Sequence, residues 1–317
     1  MQSGARGYAG FFLVGPTAVG KSAVAQRLAE AGGWHILSAD SMLVYKGMDI
    51  GTAKPSPDER ARVRYWAVDL GDPDQPFSVA PYLEEARRAF ETAARLRARL
   101  IVVGGSGLYV KALLHGLSKG PGPAAGARAR WTRLLEEQGL PALQEALRTG
   151  YPPWYEALAD KQNGRRLIRA LEQAEAGVEA PPRTWTQAGE PHPLVGLNRP
   201  RAQLHERIEE RVRLMYRNGL LQETERLLAA TPGLGPTAGQ AIGYAEAADC
   251  LRGRCSEAEA IARTIARTRQ LAKRQMTWFR RQSQVRWIEV EKGMTTEAMA
   301  GLVAAEWEKM GATPVEL

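Results

Sequence analysis

The sequence contains little of what secreted, disulfide-bonded or membrane-spanning proteins need. Only Cys250 and Cys255 are cysteines, too few for a disulfide framework, and the four histidines are too scattered for a cysteine–histidine zinc site. No apolar run approaches the ~20 residues that span a bilayer, and the N-terminal residues lack the long apolar core of a secretion signal. These absences predict a reduced, cytoplasmic protein with no membrane partner.

The overall composition is that of an ordinary globular protein, with 44% hydrophobic and 25% charged residues. The formal net charge is +8, which favours a polyanionic partner. The excess lies in one region, because residues 199–286 contain 17 Lys or Arg against 9 Asp or Glu, a local balance of +8. The rest of the chain is therefore neutral on balance.

Apolar runs alternate with helical patterns along the first third of the chain, which predicts an α/β fold with a doubly wound parallel sheet. Strands are expected at 11–14, 35–38, 64–70 (the weakest of them), 100–103, 194–197 and 287–290. Helices are expected at 21–31, 80–96, about 200–230 and 256–282. In the last of these, Ile261, Ile265, Ala272, Met276 and Phe279 share one side and are expected to pack inward.

Two Pro- and Gly-rich stretches, at 119–123 and 180–193, enclose a segment with helical periodicity and no strand signal. The sequence therefore predicts three parts. The first part of the core occupies 1–118, a small all-helical insertion domain occupies 119–193, and residues 194–317 complete the core and carry long basic C-terminal helices.

Residues 15–22 read GPTAVGKS and match the P-loop pattern G-x-x-x-x-G-K-[ST] between an expected strand and an expected helix. In such a loop, successive backbone N–H groups and the helix N-terminus bind phosphate oxygens. Lys21 is positioned to neutralise phosphate charge and Ser22 to bind Mg²⁺. We therefore predict a P-loop fold that binds a phosphorylated substrate.

The usual Mg²⁺ carboxylate of P-loop kinases and ATPases is missing, because the strand at 100–103 runs into Gly-Gly-Ser-Gly without an acidic residue. The acidic residue at a strand end near the P-loop is Asp40. The carboxyl ends of strands in a doubly wound sheet face the ligand crevice, which favours a functional role for Asp40. Asp also caps turns and helices, so a structural role stays open.

Taken together, six segments resemble the bacterial tRNA dimethylallyltransferases, also called tRNA isopentenyltransferases. They are GPTAVGKS at 15–22, SADSMLVYKGMDIGTAKP at 38–55, GGSGLY at 104–109, RRLIRALE at 165–172, AIGYAE at 241–246 and TRQLAKRQMTWFR at 268–280. The resemblance covers almost the whole chain in order. Ser106 stands where that family usually has Thr, which retains a hydroxyl group.

The resemblance implies transfer of a dimethylallyl group from dimethylallyl diphosphate to N6 of adenosine 37 in tRNA, with release of diphosphate and with Mg²⁺ as cofactor. Asp40 would be the general base and Ser106 would help hold the reacting geometry. The residues expected at the diphosphate are Gly15, Thr17, Ala18, Val19, Gly20, Lys21, Ser22, Arg207 and Arg211, with Ser22 as the metal ligand. Arg207 and Arg211 lie among glutamates, so a solvated helix face remains the alternative for them.

The same resemblance implies that the anticodon stem-loop of tRNA is the partner of a monomeric enzyme. The residues expected to contact tRNA are Asp40, Ser41, Met42, Leu43, Ser106, Arg128, Arg165, Arg166, Leu167, Ile168, Arg169, Gln240, Gly243, Tyr244, Lys273, Arg274, Gln275, Thr277, Trp278, Arg280 and Arg281. Residues 261–286 include eight basic side chains and no acidic one, which suits RNA backbone contact better than an ordinary solvated face.

Three other functions are compatible with part of the pattern. A prenyltransferase acting on free adenine nucleotides would need neither the insertion helices nor the basic C-terminal helix. A small-molecule P-loop kinase would need a Mg²⁺ carboxylate. A non-catalytic RNA-binding protein would need neither Asp40 nor the P-loop.

Overall fold

The computed structural model describes residues 7–116, 126–178, 192–230 and 234–317, without the side chain of Gln282. The chain divides into two compact units, Met1–Gly116 with Gly189–Leu317, and Leu117–Ala188. The first unit is built on a β-sheet flanked by helices, and the helices described in the second unit form a small core of their own. The fold class is therefore α/β with a parallel sheet, as predicted.

The strands are β1 (Tyr8–Val14), β2 (His35–Ala39), β3 (Tyr65–Trp66), β4 (Leu100–Gly104), β5 (Pro193–Asn198), β6 (Gln284–Glu289) and β7 (Thr313–Val315). The helices are α1 (Lys21–Gly32), α2 (Pro57–Arg62), α3 (Val79–Leu96), α4 (Gly107–His115), α5 (Ala127–Gly150), α6 (Pro152–Ala157), α7 (Gly164–Glu175), α8 (Arg201–Arg217), α9 (Leu220–Ala230), α10 (Tyr244–Leu251), α11 (Glu257–Gln282) and α12 (Thr296–Met310). A short 3₁₀ turn covers Ala238–Gln240.

The sheet has the strand order β3-β2-β4-β1-β5-β6, and neighbouring strands along this path are parallel. The central strands β2 and β4 are buried along their whole length. β4 has no polar side chain, as expected for a buried parallel strand, whereas β2 also buries His35 and Ser38. β7 pairs with the first half of β1 in the antiparallel direction.

Helices cover both faces of the sheet, as neighbouring residues of β1 demonstrate. The Phe11 ring packs on Trp307 of α12 with 5.4 Å between the ring centres. A Cβ on Gly10 would instead lie 3.1 Å from Phe90 of α3. Because successive residues of a strand point to opposite faces, α12 and α3 lie on opposite sides of the sheet.

The carboxyl ends of three strands meet at one edge of the sheet. Val14 of β1 is in register with Gly104 of β4, which is in register with Ala39 of β2. The residues that follow these strands therefore begin side by side. They are Gly15, which begins the P-loop, Asp40, which follows β2, and Gly105, which begins the glycine-rich loop after β4.

The helical unit has a core made by α5, α6 and α7, including Leu143, Trp154 and Leu171. α5 is bent at Gly139, whose backbone φ is +78°, just before Pro141. Asn163 caps the N-terminus of α7, because its side chain accepts a hydrogen bond from the Arg166 N–H at 3.3 Å.

Three expectations about elements change. The strand expected at 64–70 is only Tyr65–Trp66, because Ala67 and Asp69 adopt positive φ and end it. The helical stretch at 200–230 is two helices, separated at Gly219 with φ +98°. The strand β7 was not foreseen. The turn-rich stretches expected at the insertion boundaries lie almost entirely outside the described residues.

In the described part of the chain, no helix combines the length and the apolar character that crossing a membrane requires.

Candidate active site

The P-loop joins β1 to α1, and its shape depends on two glycines with positive φ. Gly15 has φ +139°, and a Cβ there would lie 2.5 Å from the Leu197 carbonyl oxygen of β5. Gly20, the residue before α1, has φ +116°. Other residues rarely adopt these angles, which explains the glycines of the motif.

Lys21 is the buried cation of the P-loop. Its Nζ donates a hydrogen bond to the Pro16 carbonyl at 2.7 Å. Burial lowers the Lys21 pKa from 10.5 to about 7; the nearby Asp40 carboxylate opposes this shift and the Arg211 guanidinium adds to it. Ser22, the next residue, is exposed.

Asp40 and Ser106 lie in two loops that are bonded to each other. The Ser41 N–H donates to Ser106 Oγ at 3.0 Å, and the Ser106 N–H donates to the Ala39 carbonyl at 3.0 Å. The Asp40 carboxylate accepts the Met42 N–H at 2.9 Å. One Asp40 oxygen thus has a structural partner, and the carboxylate is still half-exposed at the sheet edge. The structure therefore brings Asp40, Ser41, Met42 and Ser106 together, with Leu43 following in the same segment.

Two arginines of α8 reach the P-loop from the C-terminal part of the chain. Arg207 Nε donates to the Ala18 carbonyl at 3.0 Å. The Arg211 guanidinium lies 3.5 Å from Thr17 Oγ1 and 3.4 Å from the Thr52 carbonyl oxygen. Burial lowers the Arg211 pKa, and the Asp40 charge opposes that shift. Both arginines are therefore at the P-loop rather than on a purely solvated helix face.

A buried carboxylate holds the segment that contains Thr52. Glu223 of α9 is 4% exposed and accepts the backbone N–H groups of Asp49 and Ile50 at 3.1 and 3.0 Å. Tyr244 donates its hydroxyl hydrogen to Glu223 at 2.6 Å and accepts the Gly51 N–H at 3.1 Å. Sequence reasoning missed Glu223, although an acidic residue between Leu220 and Leu227 on an apolar helix face was a usable signal.

This arrangement gives Tyr244 and its neighbours a structural role. Tyr244 is fully buried, so its side chain does not face a solvent-side RNA. Gly243 has φ +97°, and its N–H donates to Glu246 at 2.7 Å. Glu246 is paired with Arg267 of α11, which also donates to the Gln240 carbonyl at 3.0 Å. Of the predicted tRNA contacts Gln240, Gly243 and Tyr244, only Gln240 therefore stays a prediction.

α11 has an exposed cationic side and a side that packs inward. Ile265, Ala272 and Phe279 are buried, and Ile261 and Met276 are partly buried, as predicted. An open groove beside the helix is lined by Gln270, Lys273, Arg274, Thr277, Trp278 and Arg281. Among the described residues, no ion pair is found for Lys273, Arg274, Arg280 or Arg281. These four side chains are therefore available to phosphates.

Gln275 and Trp278 differ from their basic neighbours. Gln275 Oε1 accepts the Thr17 N–H of the P-loop at 2.8 Å. The Trp278 indole lies against Gly107, where a Cβ would be 2.3 Å from the ring. Both residues thus contact the core of the site, although Trp278 also borders the groove.

In the helical unit, the expected tRNA contacts separate into two groups. Arg165, Arg166 and Arg169 of α7 are exposed, whereas Leu167 and Ile168 are buried in the unit's core and their side chains cannot reach RNA. Arg128 makes a two-pronged ion pair with the buried Glu172, at 2.7 and 2.8 Å. This pair satisfies a buried carboxylate, so it accounts for Arg128 without RNA.

The chain matches the model of the family described as IPP transferase over residues 43–282, and the isopentenyl transferase model over residues 9–72. A protein of Syntrophobacter fumaroxidans named tRNA dimethylallyltransferase is 42% identical over 296 residues, covering 87% of this chain and 82% of that protein. One of Geobacter metallireducens with the same name is 41% identical over 280 residues, covering 87% and 90%.

Solved structures agree with these matches. The tRNA isopentenylpyrophosphate transferase of Bacillus halodurans is 33% identical, with a TM-score of 0.67, covering 96% of this chain and 98% of that one. A eukaryotic dimethylallyltransferase acting on tRNA is 22% identical, has a TM-score of 0.70 and shares the fold. Because the family model and relatives of 41–42% identity match most of the chain, the chain belongs to the IPP transferase family.

Proposed function

We propose that this protein transfers a dimethylallyl group from dimethylallyl diphosphate to N6 of adenosine 37 in tRNA and releases diphosphate. The observation that carries the proposal is the meeting of a P-loop and a carboxylate at one sheet edge in a member of this family. The names of the relatives support tRNA as the acceptor. α11 also carries exposed cations that suit an RNA backbone, and the described residues offer four of them no ion pair.

In this reaction the C1–O bond of the donor breaks and a bond forms between C1 and N6 of the adenine. The proton lost from N6 goes to the Asp40 carboxylate, and the electron pair of the broken bond leaves with diphosphate. N6 is a weak nucleophile, and its proton becomes acidic only as the new bond forms. A carboxylate within hydrogen-bond reach is then a sufficient base.

Charge increases on the diphosphate oxygens as the C1–O bond breaks. Lys21, Arg207 and Arg211 all contact P-loop atoms, and the P-loop is where we expect those oxygens to bind. Groups fixed in advance around a developing charge stabilise a transition state without having to reorganise. We assign these residues to the leaving group.

The adenine must leave its stack to approach Asp40. Unstacking costs a few kcal/mol and is cheapest in a single-stranded loop, which favours an anticodon loop over a duplex. Ser41, Met42 and Leu43 are half-buried beside Asp40 and would border the space that receives the base. Ser106, which accepts the Ser41 N–H, would keep this border in place.

The residues present fit Mg²⁺ bound together with the donor. The described ranges hold no group of three or more His, Cys, Asp or Glu side chains that could bind a metal unaided. Mg²⁺ usually keeps several waters and binds through substrate phosphates plus one or two protein ligands. Ser22, exposed at the start of α1, would be that ligand. The ion would supply positive charge to the diphosphate.

The cellular location and the oligomeric state are also part of the proposal. Because tRNA is the proposed acceptor, the location we propose is the cytoplasm. The monomeric state stays a prediction that light scattering of the purified protein can check.

The test is turnover of Asp40→Ala with labelled dimethylallyl diphosphate and tRNA. We expect a loss of about 10²–10⁴-fold, the range usual for an acid–base group, with little change in tRNA affinity. Asp58→Ala, which removes an exposed carboxylate on α2, is the control. Turnover of Asp40→Ala near the wild-type rate would refute the assignment of the base.

The same assay separates the alternatives. Replacing tRNA by AMP tests the free-nucleotide prenyltransferase, and following ATP during turnover tests the kinase. We expect product only with tRNA and no ATP consumption. Transfer to AMP at a comparable rate, or stoichiometric ATP use, would favour the respective alternative.

A further inference from the structure

Gln275 connects the basic helix α11 to the P-loop. Its Oε1 accepts the Thr17 N–H at 2.8 Å, across 258 positions of the sequence. The preceding residues Lys273 and Arg274 are exposed and have no ion pair within the part of the chain that the structure describes, whereas Gln275 is half-buried. Each step along an α-helix turns by about 100°, so neighbouring residues can serve different surfaces.

The glycine-rich loop after β4 is shaped to receive this side chain. A Cβ at Gly105 would lie 2.2 Å from Gln275 Nε2 and 3.2 Å from the Gly15 carbonyl oxygen. Gly107 leaves room for Trp278, one turn further along α11. The loop is thus packed between α11 and the P-loop, and a Cβ at residue 105 would displace the Gln275 amide from its present position.

Thr17 is held from two directions. Gln275 takes its backbone N–H, and Arg211 lies 3.5 Å from its hydroxyl oxygen. Arg207 holds the carbonyl of Ala18, the next residue. The first half of the P-loop therefore depends on three side chains that do not belong to the motif.

We propose that Gln275 is a positioning residue of the diphosphate site. By fixing the Thr17 amide, it keeps the P-loop backbone in the arrangement that receives the diphosphate of the donor. Gln275 then acts on the donor rather than on the RNA. This inference rests on the proposed function for the identity of the donor.

The experiment compares Gln275→Ala with Arg274→Ala, adjacent residues of one helix. For each variant, calorimetry measures the affinity for inorganic diphosphate with Mg²⁺, and filter binding measures the affinity for an anticodon stem-loop. Gln275→Ala should weaken diphosphate binding about fivefold to tenfold, the equivalent of one hydrogen bond, and leave RNA binding unchanged. Arg274→Ala should do the reverse.

A third variant separates positioning from packing. Gln275→Met keeps the length and volume of the side chain but removes the amide acceptor of the Thr17 N–H. We expect its melting temperature to stay near that of the wild type, its diphosphate affinity to fall about as far as in Gln275→Ala, and its KM for the donor to rise with little change in kcat. A purely packing role would leave the diphosphate affinity of Gln275→Met intact.

The outcomes distinguish this inference from the proposed function. Wild-type diphosphate affinity in Gln275→Ala, or an equal loss of RNA binding, would overturn the role of Gln275 while dimethylallyl transfer by the wild type still stood. Conversely, a wild type that binds diphosphate but transfers nothing to tRNA would overturn the function, and calorimetry would still decide the role of Gln275.

Discussion

We predict that binding of the proposed donor depends on pH, because Lys21 titrates in a window where few other lysines do. Burial lowers this pKa from 10.5 to about 7 in the ligand-free protein. Only the protonated amine attracts the diphosphate, and the bound anion raises the pKa in turn. Affinity should therefore be fully present below pH 7 and fall as the pH rises above it.

The magnitude follows from the protonated fraction of Lys21. With a pKa of about 7 in the ligand-free protein, that fraction falls from about one half at pH 7 to about one hundredth at pH 9. If the amine stays protonated in the complex over this range, the affinity falls roughly fiftyfold. The pKa of the last ionisation of a phosphate monoester is about 6. The donor therefore keeps a constant charge across this window.

The assay is calorimetric titration of dimethylallyl diphosphate in the absence of tRNA, which leaves the donor without an acceptor. Measurements in buffers of different ionisation enthalpy give the proton uptake, expected to be about 0.5 at pH 7 and about 0.9 at pH 8. Lys21→Arg, which stays charged, should abolish the pH dependence. A wild-type affinity that is flat between pH 7 and 9, with no proton uptake, would refute the reasoning.

Two further results are expected. Arg274→Ala should weaken binding to different anticodon stem-loops by a similar factor, because phosphate contacts carry no base information. It should also flatten the slope of log affinity against log salt by about 0.7. An unchanged slope in a salt titration, or a loss of affinity confined to one stem-loop, would contradict this prediction. Glu223→Ala should lower the free energy of unfolding by about 2–4 kcal/mol, because it leaves buried donors unpaired, and should weaken diphosphate binding through the Thr52 segment. Denaturant unfolding measures the loss of stability and calorimetry the diphosphate affinity. The control is Tyr216→Phe, which removes the buried Tyr216–Thr264 hydrogen bond at 3.0 Å and should leave the affinity for diphosphate unchanged.

The layout of the sheet edge could be predicted because two strong local signals coincide there. Apolar runs define β1, β2 and β4, and the residues after them are glycines or Asp40. Parallel strands place their carboxyl ends together, so the positions of Gly15, Asp40 and Ser106 follow from the chain. The matching register of these strands agrees with that expectation.

Other features depend on contacts that periodicity cannot reveal. β7 has only three residues, and it pairs with the first half of β1, far away in the sequence. Glu223 and Tyr244 meet the 49–51 segment across about 170–190 positions. A pattern identifies which side of a helix is apolar, but it does not say what that side packs against. The motif around Tyr244 therefore predicts an RNA contact that the Tyr244 side chain, which is buried, does not make.

The same limit applies to α11, because its charge pattern predicts the contact with RNA but not the contact with the P-loop. The acid-free run predicts a helix that meets phosphates, and the exposed Lys273, Arg274 and Arg281 agree with that interpretation. The run also contains uncharged polar residues, and Gln275 is bonded to the P-loop. Phosphate contact does not explain a half-buried amide that is bonded to the P-loop, so Gln275 requires a different explanation. Because one rigid helix carries both surfaces, the distance between the RNA backbone and the diphosphate would be set by the helix itself. Asp40, whose charge acts on both Lys21 and Arg211, is near the diphosphate end of that span. The carboxylate would then meet the adenine only when the RNA is held at the correct distance along α11.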